Sequence, residues 1–377
     1  MQLLNQRSCD LALEPMIKKE LYTPKAIDLF CGAGGLSLGL TSAGYRIAAA
    51  LDNDPIATRT YERALGSHVD TASIEEVSGK EILGRANLGR GDCMLLAGGP
   101  PCQGFSVQRR GDREDARNGL VLHFMRLVEE VRPQFFLMEN VGGLLSKHGK
   151  PFLKEMAERA ARLNYIIHIE LLDAADYGVP QVRKRAFLVG EHAPDLIPRF
   201  RFPKRTHSTR RVTVRDAIGD LPTPPADGSP HPGIPNHYRE ARLSKLNLER
   251  IRHVPPGGGR EHLPVHLQLA CHVNNPGHRH MDVYGRLSWD EPSVTLTARF
   301  DSFTRGRFGH PDDDRSLTVR EGARLQTFPD HFVFEGNREQ GARQVGNAVP
   351  PLLAQRIGAA IIEAAAARQE GRLLALP

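Results

Sequence analysis

Asp28-Leu-Phe-Cys-Gly-Ala-Gly-Gly35 decides the reading of the fold. An apolar run, Ala26-Ile-Asp-Leu-Phe30, feeds a turn with glycine at positions 32, 34 and 35, and a helical pattern follows. Glycine lets backbone N–H groups approach a ligand closely, and a helix opening behind them favours polar or anionic groups. Asp52 comes 20 residues after Gly32, at the end of the next apolar run, 45–52. A carboxylate at that distance suits a ribose. The order is GxGG, with Ser37 where a dinucleotide fingerprint has its third spaced glycine. The turn therefore favours another adenosine-type cofactor over a dinucleotide. A tight strand-to-helix turn that binds nothing is the plain alternative.

Working outward, further strand-like runs lie at 92–97, 134–139 and 186–190, with helical patterns at 120–131 and 152–163 between them. Alternating strands and helices predict an α/β fold, a mostly parallel sheet covered on both faces, with ligands at the carboxyl ends of its strands. Near His192 the texture changes. From there to about Arg320 the chain is rich in Pro, His, Arg and Gly, which predicts a smaller loop-rich domain with a few short strands, one of them at 293–297. A helix is expected at 350–368, opening on proline and dense in Ala, Leu and Ile.

Composition narrows the class. Glycine and proline make up 63 of 377 residues, about 17% against roughly 12% on average, so fixed loops outnumber those of a helical bundle. The net charge of +6 favours a polyanionic partner, nucleic acid before a membrane surface. No run of 18 apolar residues occurs, so no membrane span is expected. The first 22 residues lack the apolar stretch of a signal peptide. Five irregularly spaced cysteines without a CxxC argue against a disulfide framework or a metal site and for a reduced, cytoplasmic compartment.

Three more segments carry chemistry. In Gly98-Gly-Pro-Pro-Cys102-Gln-Gly-Phe-Ser106, prolines stiffen and glycines unburden a turn that presents a thiol, as a nucleophile requires. Cys93, on the strand before it, reads as a buried structural cysteine. The charged stretch 108–119 is either a loop closing over substrate or a solvated one. Glu139-Asn-Val141 sets a carboxylate at the end of an apolar strand, a candidate acid. Gln181-Val-Arg-Lys-Arg185 places Gln181, Arg183 and Arg185 on one side of an extended segment, suited to a phosphate or base oxygen, or else a basic edge strand.

Taken together these segments resemble the C5-cytosine DNA methyltransferases. DLFCGAGG, GGPPCQGFS, ENV at 139–141 and QVRKR at 181–185 occur in that family's order, followed by REGARLQTFPD at 320–330 and QVGNAVP at 344–350. The match extends over about 320 residues, and the variable stretch before REGARLQTFPD is where the family keeps its target-recognition region. The resemblance implies a Rossmann-like S-adenosylmethionine-dependent domain at 23–191 after an N-terminal extension, 1–22. A target-recognition domain at 192–338 and a segment at 339–377 returning to the first domain complete the expected division. It also implies a monomer acting on double-stranded DNA, without a metal.

Residue by residue, the family likeness makes Cys102 the nucleophile at cytosine C6 and Glu139 the group that holds and protonates N3. Arg185 would reach O2, and Arg183 would hold backbone or neighbouring side chains. For S-adenosylmethionine it implies Phe30, Gly32, Gly34, Gly35, Leu36, Asp52, Asn53, Pro100, Leu120, Asn347 and Ala348. Asp70 is favoured over Ser73 for the adenine amino group, and Asp54 reads as a solvated or capping residue. For DNA the expected contacts are Gln103, Ser106, Gln181, Arg299 and Arg305, with Asp301 and Arg307 as further candidates and Trp289 and Phe300 as small-domain core.

The stretch 199–215 holds seven basic residues in 17 and no acid, which suits phosphate contacts. Competing readings are methylation of transfer RNA, the substrate of one branch of the family, a nicotinamide-dependent dehydrogenase, and an inactive DNA-binding relative. The length of the variable region favours DNA over RNA. Ser37 and the PPCQGFS loop argue against the dehydrogenase, and a full set of catalytic positions argues against the inactive relative.

Overall fold

The computed structural model describes residues 23–101, 119–147, 149–240, 243–273 and 282–374. Seven strands form one sheet: β1 (Lys25–Leu29), β2 (Arg46–Asp52), β3 (Val69–Thr71), β4 (Leu95–Gly98), β5 (Phe135–Val141), β6 (Tyr165–Asp173) and β7 (Lys184–His192), in the order β3-β2-β1-β4-β5-β7-β6. The first five pair in parallel, whereas β7 runs antiparallel to both β5 and β6.

Successive side chains of the inner strands alternate between two apolar layers, as the pleat requires. Leu95, Ala97, Phe135 and Leu137 face one layer with Leu36 and Leu40 of α1 (Gly35–Ser42). Leu96, Phe136 and Met138 face the other, with α3 (Gly79–Ala86), α4 (Gly119–Val131) and α5 (Lys150–Arg162). The helix α2 (Pro55–Leu65) begins where β2 ends, capped by the Asp54 carboxylate, as the sequence suggested.

The last helix, α11 (Pro351–Leu374), packs on α1 through Leu353, Ala354 and Ile357. A Cβ at Gly39 would run into the Pro351 carbonyl oxygen, so glycine permits this close approach. The far end is fixed by Glu191, fully buried, which accepts from Arg368 Nη2 at 2.7 Å and from the Arg199 and Phe200 backbone N–H groups at 3.0 Å.

The described residues of 193–337 carry little regular structure: α6 (Val214–Ile218), α7 (Lys245–Arg252), α8 (Ala270–Val273) and α9 (Val319–Leu325), with short single turns between them. A third apolar cluster gathers Leu296, Phe300, Phe308, Leu325 and Phe332. It also takes Ala342 and Val345 of α10 (Arg338–Asn347) and Ala33 of the glycine turn, so the two halves share a core. The strand predicted at 293–297 does not form. That segment makes a single bridge, Ser293 with Gln181, and otherwise binds through side chains. Among the described residues, no helix is long and apolar enough to cross a membrane.

Candidate active site

The carboxyl ends of β1, β2, β4 and β5 open onto one cavity of about 590 Å³, of ordinary size for a small-molecule site. β1 ends in a turn with Phe30, Gly32 and Gly34 at φ of 60°, 53° and 97°. Glycine adopts such backbone at little cost, whereas Phe30 must be held there by its surroundings. A Cβ on Gly32 would meet nothing within 4 Å, so this backbone borders open space. Gly35 is different: its Cβ would lie 2.5 Å from the Val349 carbonyl oxygen, which brings the C-terminal segment against the turn.

Asp52 is anchored at both oxygens. Oδ2 accepts from Gly32 N and Oδ1 from Asp54 N, each at 2.8 Å. Burial pushes its carboxyl up from the usual range, and the backbone N–H groups oppose that. Below the turn, Asp28 is fully buried, accepts from Ser37 Oγ at 2.6 Å, and is pushed up to about 7 by burial.

Phe30, Gly32, Gly35, Leu36, Asp52, Asn53, Pro100, Asn347 and Ala348 all line the cavity. Three residues expected there do not. Gly34 is the N-cap of α1, behind the wall. Leu120 packs against the apolar layer under the sheet. Asp70 pairs with Arg85 at 3.0 Å, because α3 passes beside the short strand β3. Ser73, its alternative, does not line the cavity either.

Glu139, Arg183 and Arg185 share the same cavity. Arg185 Nε lies 3.1 Å from Glu139 Oε1, both side chains largely buried. Antiparallel pairing of β5 with β7 sets Glu139 opposite Phe187 and Val141 opposite Arg185, which brings the two charges to one end. Asn140 Nδ2 donates to the Pro100 carbonyl at 3.1 Å and so ties the Gly-Gly-Pro-Pro turn to β5. Cys102, Gln103, Ser106 and the charged stretch to residue 118 lie outside the described residues. Cys93 is buried and pushed up to about 12 by burial, an inert structural thiol.

Gln181 corrects an expectation. It is fully buried, accepting from Leu296 N at 3.0 Å and donating to Gln326 Oε1 at 3.0 Å, so its side chain cannot reach DNA. Arg183 lies beside it, buried, donating to the Leu296 carbonyl at 3.1 Å. Burial and the charge of Arg185 push its guanidinium down. Gln326 in turn donates to the Val345 carbonyl at 2.7 Å. One network thus joins 181–183, the segment 293–297 and α10, and places Thr295, Thr297, Arg343 and Gln344 in the cavity wall. The sequence reading missed these four: Gln344 sits in a quoted motif, but residues some 110 positions apart give no local sign of contact.

The recognition candidates divide. Arg299 pairs with Asp301 and Glu339, at 3.3 and 3.0 Å. Asp301 is buried beneath Arg299 and Arg338, so it cannot read a base. Arg307 donates to the Gly257 and Gly258 carbonyls and is structural as well. Arg305 is exposed at the end of a short turn, Phe303–Arg305. Phe300 is fully buried and Trp289 packs against the same cluster, as expected of small-domain core. In the basic stretch, Arg199, Arg205, Arg211 and Arg215 pair with acids, whereas Arg201, Lys204 and Arg210 are exposed.

The Glu139–Arg185 pair and the anchored Asp52 thus share one cavity with the glycine turn. The sequence profile of C-5 cytosine-specific DNA methylases matches residues 24–363. The chain belongs to this family. It is a DNA (cytosine-5-)-methyltransferase with a Rossmann-like fold. Type II methylase M.HgiDII of Herpetosiphon aurantiacus is 35% identical over 357 residues, 92% of this chain and 98% of that one. Type II methyltransferase M.XorII of Xanthomonas oryzae pv. oryzae is 36% identical, over 90% of this chain and 85% of that protein. A solved structure of a candidate DNA modification methyltransferase from an E. coli prophage superposes with a TM-score of 0.69 at 26% identity, covering 90% of this chain and 98% of its own. Among the described residues, no group of three or more His, Cys, Asp or Glu is placed to hold a metal ion.

Proposed function

We propose that this enzyme is a type II modification methyltransferase, which methylates cytosine C5 within one short sequence of double-stranded DNA. The observation that carries it is the Glu139–Arg185 pair opening onto the same cavity as Asp52 and the glycine turn. The type II relatives, similar over nearly the whole chain, support the modification role.

The residues fit S-adenosylmethionine, which when bound supplies an electrophilic methyl group. Both Asp52 oxygens keep a lone pair for a ribose diol beyond their backbone bonds. The open backbone at Gly32, with Phe30, Leu36, Asn347 and Ala348, would surround the rest of the cofactor.

Cytosine C5 is a poor nucleophile, and addition at C6 activates it. The Cys102 thiolate bonds to C6 while Glu139 gives a proton to N3, which moves electron density to C5. Arg185 holds Glu139 and reaches toward O2, and Arg183 keeps the Leu296 segment in place. After C5 is methylated, its proton leaves to a base, the thiolate departs from C6 and N3 returns its proton to Glu139, which restores the ring. The base must leave the duplex to enter the cavity. Gln103 and Ser106 are further candidates for contacts to the DNA. Arg305, Arg201, Lys204 and Arg210 would meet phosphates or base edges, and the sequence read is set within 192–338. The enzyme acts as a monomer.

The test is duplex DNA with 5-fluorocytosine at the target. Fluorine cannot leave C5 as a proton does, so the adduct should persist through denaturing electrophoresis in the wild type and vanish in Cys102→Ser. Methyl transfer to transfer RNA alone, with none to duplex DNA, would overturn the substrate assignment.

A further inference from the structure

Asp54 and Arg343 lie 289 positions apart and meet at the cavity, with Arg343 Nη2 2.8 Å from Asp54 Oδ2. Both line the cavity, and both are partly exposed, at 47% for Arg343 and 27% for Asp54. A pair that is at once wall and surface crosses the cavity's rim. Each partner is also tied inward. Asp54 caps α2 through Oδ1, leaving Oδ2 for the arginine, and its backbone N–H donates to Asp52 Oδ1 at 2.8 Å. Arg343 stands on α10 one turn before Asn347, and residues three and four apart share a helix face. Arg343, Asn347 and Ala348 accordingly all line the cavity.

Resting on the cofactor reading above, we propose that Arg343, acting through Asp54, is a positioning residue for the methyl donor. The ion pair fixes the residue whose N–H orients the Asp52 carboxylate. It also draws the Asn347–Ala348 face of α10 over the cofactor. Asp52 and Asp54 supply two carboxylates on one side of the cavity, and Arg343 of α10 meets Asp54 from the other.

Two substitutions isolate the effect. Asp54→Asn keeps an efficient helix cap and the backbone N–H while removing the charge. Arg343→Gln removes the other partner. Binding of S-adenosylmethionine and S-adenosylhomocysteine to the full-length protein is measured by calorimetry, with KM for cofactor and for DNA taken separately. Each single variant should bind cofactor roughly three- to fivefold more weakly, the size of a good partly exposed ion pair. The double variant should be no weaker than either single one. Arg343→Lys should recover most of the affinity, the wild-type advantage should shrink at high salt, and KM for DNA should not move. Wild-type binding with unchanged affinity in both variants would overturn the proposal, as would losses that simply add. Failure of the wild type to bind either ligand would overturn the cofactor reading instead, so the two are told apart.

Discussion

Gln181→Leu is expected to destabilise the folded protein, with loss of activity as a consequence. The side chain is fully buried and joins Leu296 N to Gln326 Oε1, each at 3.0 Å. Leucine fills a similar volume but offers neither an acceptor nor a donor. The Leu296 N–H and the Gln326 carbonyl oxygen would be left buried without these partners, at about 1–3 kcal/mol each, or about 2–6 kcal/mol in all. In a chain of this length that corresponds to a fall of roughly 3–8 °C in Tm. Leu296 also accepts from Arg183, and Gln326 holds the Val345 carbonyl, so both sides of the cavity lose support. Scanning calorimetry on both proteins, beside DNA binding by gel shift at a temperature where both are folded, separates the possibilities. A variant with wild-type Tm and weakened DNA binding would show that Gln181 touches DNA, and would refute the buried network.

Arg185→Ala should lower kcat by roughly 10²–10³-fold with Tm changed by only a few degrees, because its main partner is the Glu139 carboxylate at 3.1 Å; single-turnover methyl transfer measures it. Glu191 is held down to about 2 by His168, Arg368 and two backbone N–H groups, which outweigh its burial. Its folded pKa lies below the unfolded 4.5, so it contributes about 3 kcal/mol at neutral pH that is lost as pH falls through 4.5 toward 2. Arg368→Met should cut that acid-dependent loss, read as the slope of Tm between pH 6 and pH 3. Asp28 behaves oppositely: burial raises it from 3.8 to about 7, so ionisation costs stability that is lost as pH rises through that range, at most about 4 kcal/mol. Asp28→Asn should therefore raise Tm more at pH 8.5 than at pH 5, and equal gains at both would count against a neutral Asp28.

The glycine turn, Asp52 and the Glu139 strand end were legible because each is a local pattern, a strand running into residues with unusual backbone or charge. For Asp54 the sequence allowed a solvated residue or a cap, and the structure makes it the cap of α2. Strand direction was not legible. The run 186–190 looked like one more strand, and nothing in its composition says that β7 is inserted antiparallel between β5 and β6. β3 escaped notice because it is three residues long, and Tyr165–Asp173 was passed over although it is rich in isoleucine and leucine. Polar residues were the hardest to place. Gln181 and Arg307 look alike in sequence to groups that read DNA, yet buried carbonyls, amides and backbone groups more than 40 positions away claim them. Arg343 carries no local sign of its partner, because Asp54 lies 289 positions away in the sequence.

The central claim is tested most directly by bisulfite sequencing of DNA from a bacterial host that expresses this protein, beside a Cys102→Ala control of equal solubility. Cytosines in one short sequence context should resist conversion with the wild type and convert fully with the control. Full conversion everywhere with soluble wild-type protein, or equal protection in the Cys102→Ala strain, would contradict it.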